Sequence, residues 1–156
     1  MASDLLAGHG AADDVVAVSA DPVDPAGLVA AVSDPACGAV VLFLGTVRDH
    51  SPGREGVTHL EYEVYGGVAE AKIAEVVAEA RARWPLERVA VVHRVGDLAV
   101  GEISVGVAVG AEHRAQALPA AHYLIDEVKG RAPIWKKEHW PGGAEWVRED
   151  EAHRHE

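Results

Sequence analysis

Between Val15 and Glu149 the extended segments of this chain come in adjacent pairs separated by helical ones. Neighbouring strands joined by short connections pair antiparallel, whereas a doubly wound parallel sheet needs a helix after every strand. The pattern reads as follows. VVAVSA (15–20) is a short strand, and Asp24-Pro25 supplies an N-cap and a first helical proline for a helix to about Ser33. GAVVLFLGTV (38–47) is a continuous apolar run, hence a buried strand, and VTHLEYEV (57–64) alternates as a half-buried one. The polar stretch 48–56 between them, with two Gly and a Pro, reads as an exposed loop.

Ala69, Ile73, Val76, Val77, Ala80 and Trp84 form a helical stripe over 68–84, stopped by Pro85. RVAVVHRV (88–95) and ISVGVAV (103–109) read as strands joined by a connection over 96–102. A further helix is predicted over 111–130, with Gly130 as its stop and Pro133 beyond. Pro119 lies inside it, so the helix either kinks there or has its main body starting nearby. Residues 132–140 are extended, Pro141-Gly142-Gly143 turns, and 144–149 return as a strand. The expected fold is α+β, with mostly antiparallel sheets and about three helices packed on them. One domain spans 15–149, between a flexible tail over 1–14 and a charged tail over 150–156.

Charge narrows the function. The formal net charge is -11, which disfavours a general nucleic-acid binder. Residues 113–138 invert that sign, holding Arg114, Lys129, Arg131, Lys136 and Lys137 against Asp126, Glu127 and Glu138. A basic island in an acidic chain points to a small anion. Gly130 and Pro133 let the chain reverse between Lys129 and Lys136, so their amines can face one pocket. Adjacent residues of a strand point to opposite sides, so only one of Lys136 and Lys137 readily joins Lys129. His113-Arg114 opens a helix, where free N–H groups favour anions, and Arg48 ends a buried strand before a loop.

The single cysteine, Cys37, excludes an internal disulfide and a Cys-rich metal site, and fits a reducing cytosol. No metal site is expected, because no HExxH or Cys/His spacing occurs and His59 and His93 read as packed or surface strand residues. Residues 1–14 have no basic start or long apolar run, and no stretch is long and apolar enough for a membrane span.

GAVVLFLGTVRDH (38–50), RWPLERVAVVHRVGDLAVGE (83–102), AEHRAQA (111–117) and DEVKGRAPIWKKE (126–138) together resemble the MoaE family, the large catalytic subunits of molybdopterin synthase. The resemblance covers about residues 38–147 and is most specific over the KGRAPIWKKE segment. It implies an α/β-hammerhead type of α+β fold and a cytoplasmic sulfurtransferase of molybdenum cofactor biosynthesis. Sulfur would come from the C-terminal Gly-Gly thiocarboxylate of a small ubiquitin-like carrier. The acceptor would be cyclic pyranopterin monophosphate (precursor Z), and the product the molybdopterin dithiolene. No cofactor is implied, and the assembly would be a heterotetramer around a homodimer of large subunits. The chain ends His-Arg-His-Glu, so it is not expected to be the carrier itself. By matching positions, the resemblance makes Lys129 the central catalytic residue, as acid/base or as an amine contacting the thiocarboxylate. Lys136 would neutralise negative charge. Arg48, His113 and Arg114 would hold the phosphate and pterin, with Arg131 and Lys137 as further binding candidates and Glu138 orienting a lysine.

Overall fold

The computed structural model describes residues 13–148. Ten strands and three helices follow in the order β1 (Val15–Ser19), α1 (Pro25–Val32), β2 (Ala39–Thr46), β3 (His50–Ser51), β4 (Arg54–Glu55), β5 (His59–Val64), α2 (Val68–Arg83), β6 (Arg88–Arg94), β7 (Gly96–Ala99), β8 (Ile103–Ala111), α3 (Arg114–Arg131), β9 (Ile134–Trp140) and β10 (Gly143–Arg148). The residues expected to form tails lie mostly outside this range. Asp14, at the end of the predicted N-terminal tail, is pinned in place: its carboxylate takes the Arg81 guanidinium and the Val89 N–H.

The first sheet has the order β1-β6-β8-β2, with β1 parallel to β6 and the other pairs antiparallel. Its central strands read as continuous apolar runs because both faces are covered. Val89, Val91, Val105, Val107 and Val109 point into the main core with Ile73, Val76 and Ala80 of α2 and Ala117, Leu124 and Val128 of α3. Ala90 and Ala108 point the other way, to Leu28, Ala31 and Val32 of α1. On that side Gly106 and Gly110 let α1 approach closely. A Cβ on Gly110 would stand 2.1 Å from the Val32 carbonyl oxygen, and one on Gly106 would stand 2.4 Å from Leu28 Cδ1.

The second sheet, β10-β9-β5-β7, is antiparallel throughout. Leu60, Tyr62, Leu98 and Ile134 on its inner face join the main core. β7 falls where a connection is expected from sequence. Its GDLA offers one core residue, Leu98, and what makes it a strand is its pairing with β5, Leu60 standing opposite Leu98. The predicted loop over 48–56 likewise contains the β3–β4 hairpin, turning at Gly53 with φ 77°. Helix α3 runs unbroken through Pro119, which sits in its second turn and costs one backbone hydrogen bond. It also passes Gly130 and ends at Arg131, with the Ala132 N–H bonded to the Val128 carbonyl.

Candidate active site

Three parts of the fold meet at one cavity of about 220 Å³: the end of β2 with the β3–β4 hairpin, the C-terminal turn of α3, and the inner face of β5 and β9. A bulge between Gly45 and Thr46 breaks the β2–β8 register there. Bulges bend a strand and re-aim its side chains. Arg48 follows directly and lines the cavity. Lys129 enters from the last turn of α3, where the negative end of the helix dipole favours a cation. Lys136 enters from β9, opposite Tyr62 of β5, and is only 8% exposed.

Glu138 lies two residues beyond Lys136 on the same strand face and is 4% exposed. It accepts a hydrogen bond from Ser51 Oγ at 2.6 Å, and Arg54 lies 3.5 Å away. Arg54 also pairs with Glu145 and stacks over the Trp140 ring, 3.8 Å from its centroid. These contacts fasten the hairpin to β9 and β10 over one wall of the cavity. Ser104 donates to the Gly45 carbonyl at 3.2 Å beside the bulge. Tyr62 packs edge-on against His93, with ring centroids 5.0 Å apart. With three cations, one buried carboxylate and His50 at the mouth, the wall carries net positive charge suited to an anion.

Of the residues singled out from sequence, the fold brings Arg48, Lys129 and Lys136 to this cavity, with Glu138 beside them. Lys137 points to the opposite face of β9, its ammonium 5.4 Å from the centroid of the Trp146 ring. Arg131 is turned away and held by Glu79 and Glu127. His113 and Arg114 are at the other end of α3, lining a separate cleft with Leu118 and Pro119. At 1.5 Å per residue, the helix puts Arg114 roughly 22 Å from Lys129. Within one chain, the expected gathering of His113 and Arg114 with the lysines does not occur, because α3 is one unbroken helix with the two groups at its opposite ends. Thr46, His50, Ser51, Tyr62 and Ser104 line the cavity without having been singled out. For Thr46, Tyr62 and Ser104 the only sequence signal is strand alternation, which does not say which face is hidden, while His50 and Ser51 fall in a segment that reads as an exposed loop.

Cys37 sits apart from the cavity. Its thiol faces the Val32 carbonyl, and burial pushes its pKa up, which disfavours the nucleophilic thiolate.

Fold and cavity define a class: an α+β protein with a cation-lined pocket between two sheets, sized for a small anionic group. The chain belongs to the MoaE protein family, whose model matches residues 18–131. It is 40% identical over 131 residues to the molybdopterin synthase catalytic subunit of Halalkalibacterium halodurans, covering 84% of this chain and 83% of that one. It is 45% identical over 152 residues to the molybdopterin synthase catalytic subunit of Oryza sativa subsp. indica, covering 94% and 78%. The crystal structure of molybdopterin synthase from Staphylococcus aureus superposes with a TM-score of 0.78 at 36% identity, covering 83% of this chain and 94% of that chain.

Proposed function

We propose that this chain is the catalytic subunit of molybdopterin synthase. It transfers sulfur from the C-terminal thiocarboxylate of a small ubiquitin-like carrier to cyclic pyranopterin monophosphate, building the molybdopterin dithiolene. The observation that carries the reading is the convergence of Arg48, Lys129 and Lys136 on one cavity in an otherwise acidic molecule. Arg48 binds the phosphate through its planar fork of donors. Lys129, at the helix end, moves the proton at the reacting centre or contacts the thiocarboxylate with its amine. Lys136 holds its charge against the negative charge that develops as sulfur adds. Sulfur comes from outside, since the lone Cys37 is away from the cavity. The setting is cytoplasmic: the lone thiol fits a reducing compartment, and no described helix is long and apolar enough to cross a membrane.

A homodimer completes the site. Typical ligand pockets span roughly 300–1,000 Å³, so the cavity of one chain is small for a whole phosphorylated pterin. β2 is an edge strand, and beside it Phe43 and Leu118 are exposed along a cleft that ends at Lys129. A two-fold contact there sets two α3 helices antiparallel. It carries His113 and Arg114 of a second copy to the cavity, where they hold the phosphate and pterin.

The test mixes the purified protein with thiocarboxylated carrier and cyclic pyranopterin monophosphate. Dithiolene product is expected, and none with carrier ending in a plain carboxylate. Lys129→Ala should lower turnover by about 10²–10⁴-fold while fold and carrier binding persist. Wild-type turnover by that variant would remove Lys129 from the chemistry.

A further inference from the structure

Outside the cavity, the outer face of the second sheet gathers three side chains of ligand type. His59 and Glu61 are two apart on β5 and share a face, and His139 of β9 stands directly opposite His59. Their ligand atoms all lie within 4.8 Å of one another, and all three residues are half-buried. The two imidazoles stack with centroids 4.0 Å apart and planes 12° from parallel. His139 Nε2 is 2.6 Å from Glu61 Oε1, and His59 Nδ1 is 3.2 Å from Thr58 Oγ1. Asp97 of β7 faces Glu61 from the other side, which puts a second carboxylate on this face. Like charges directly across a strand pair repel unless something between them is positive. Lys137, Glu61's neighbour on β9, has its ammonium over Trp146.

We propose that His59, Glu61 and His139 form a site for a divalent transition-metal ion of the zinc type. Imidazole nitrogen with one carboxylate selects zinc, cobalt or nickel over calcium and magnesium, which take oxygen ligands. Two neutral rings and one carboxylate offset half of the ion's charge, and Asp97 adds to the local negative field. With Nδ1 of His59 turned to Thr58, Nε2 is its ligating nitrogen, and His139 ligates through the Nε2 that now meets Glu61. Ligands around a tetrahedral zinc at about 2.0–2.1 Å stand about 3.3 Å apart, and each imidazole lone pair lies in its ring plane, so the ion binds once the two stacked rings leave the stack and tilt their nitrogen edges together. Water takes the fourth position. The ion clamps β5 to β9 across the face opposite Tyr62, Lys136 and Glu138, stiffening the wall of the cavity from behind.

The experiment titrates zinc, and cobalt as its spectroscopic stand-in, into the untagged, chelator-treated full chain. It compares wild type with Glu61→Gln, His139→Ala and the double variant His59→Gln/His139→Ala. In wild type, cobalt should give the intense visible bands of a four-coordinate site, and zinc should raise the melting temperature. Each single variant should bind at least about tenfold more weakly, and the double variant should lose the bands while melting normally without metal. Glu61→Gln keeps the shape of the site and so reads the ligand role should a histidine variant fail to fold. Two results would overturn the proposal: no zinc-dependent shift in wild type, or equal metal affinity in wild type and Glu61→Gln together with whichever histidine variants fold. The second would assign any binding to other histidines of the chain.

Discussion

Lys136 and Lys137 differ by one position and occupy opposite environments. Lys136 is 8% exposed in the cation-lined cavity, while Lys137 lies over Trp146 on the outer face. Alternation along a strand predicts that only one of them joins Lys129. It does not say which, because both phases of β9 hold large apolar residues, Ile134 and Trp140 in step with Lys136 and Trp135 in step with Lys137. The fold decides by placing Ile134 in the main core. Lys136→Ala is therefore expected to lower turnover by about 10²–10³-fold, whereas Lys137→Ala stays near wild type, in the same product assay. Glu79 shows a second effect of single contacts. Hydrogen bonds from Arg131 and then Tyr123 hold its carboxyl down to about 2, from 4.5. A carboxyl depressed in the folded state stabilises the fold above its unfolded pKa, and that contribution is lost as pH falls toward 2. Acid titration followed by circular dichroism should give Glu79→Gln a flatter stability profile than wild type between about pH 4.5 and 2, with a modest difference because the pair is exposed.

Glycines separate what sequence shows about elements from what only packing shows. Gly130 followed by Pro133 reads as a helix stop, yet α3 continues through it and a Cβ there would touch nothing within 4 Å. Gly130→Ala should stabilise the fold by about 0.5–1 kcal/mol. Gly110 carries no such signal in the run 103–111, but α1 lies against it, with the Val32 carbonyl and Cys37 Sγ where a side chain would go. Gly110→Ala should cost about 1–3 kcal/mol, read as a lower melting temperature. The helices and β5 were legible because each carries its own hydrophobic period, and β2, β6 and β8 because they are apolar runs. β2, expected to be buried, is instead a half-exposed edge strand, since no further described strand of the chain covers its outer side. β7 and the β3–β4 hairpin were not, because four residues or fewer hold no period and only a partner strand makes them extended. The cavity was legible as far as its cations, which charge reveals. Its neutral lining, Thr46, Ser51, Tyr62 and Ser104, depends on which strand faces the two sheets turn toward each other.

At the scale of the molecule, a net charge of -11 surrounds a pocket of opposite sign. The field outside repels anions in general, and only a ligand small enough to enter meets the attraction inside. In the proposed dimer the two pockets form at the ends of paired α3 helices. Each draws Lys129 from one copy and His113 with Arg114 from the other.

The length of α3 then makes two inactive proteins able to rescue one another. Lys129→Ala and Arg114→Ala each disable both pockets of their own dimer. Co-refolded in equal amounts, half of the dimers would be mixed, and each of these would regain one pocket with every native residue. About a quarter of normal activity should return, and none if one copy supplies the entire site.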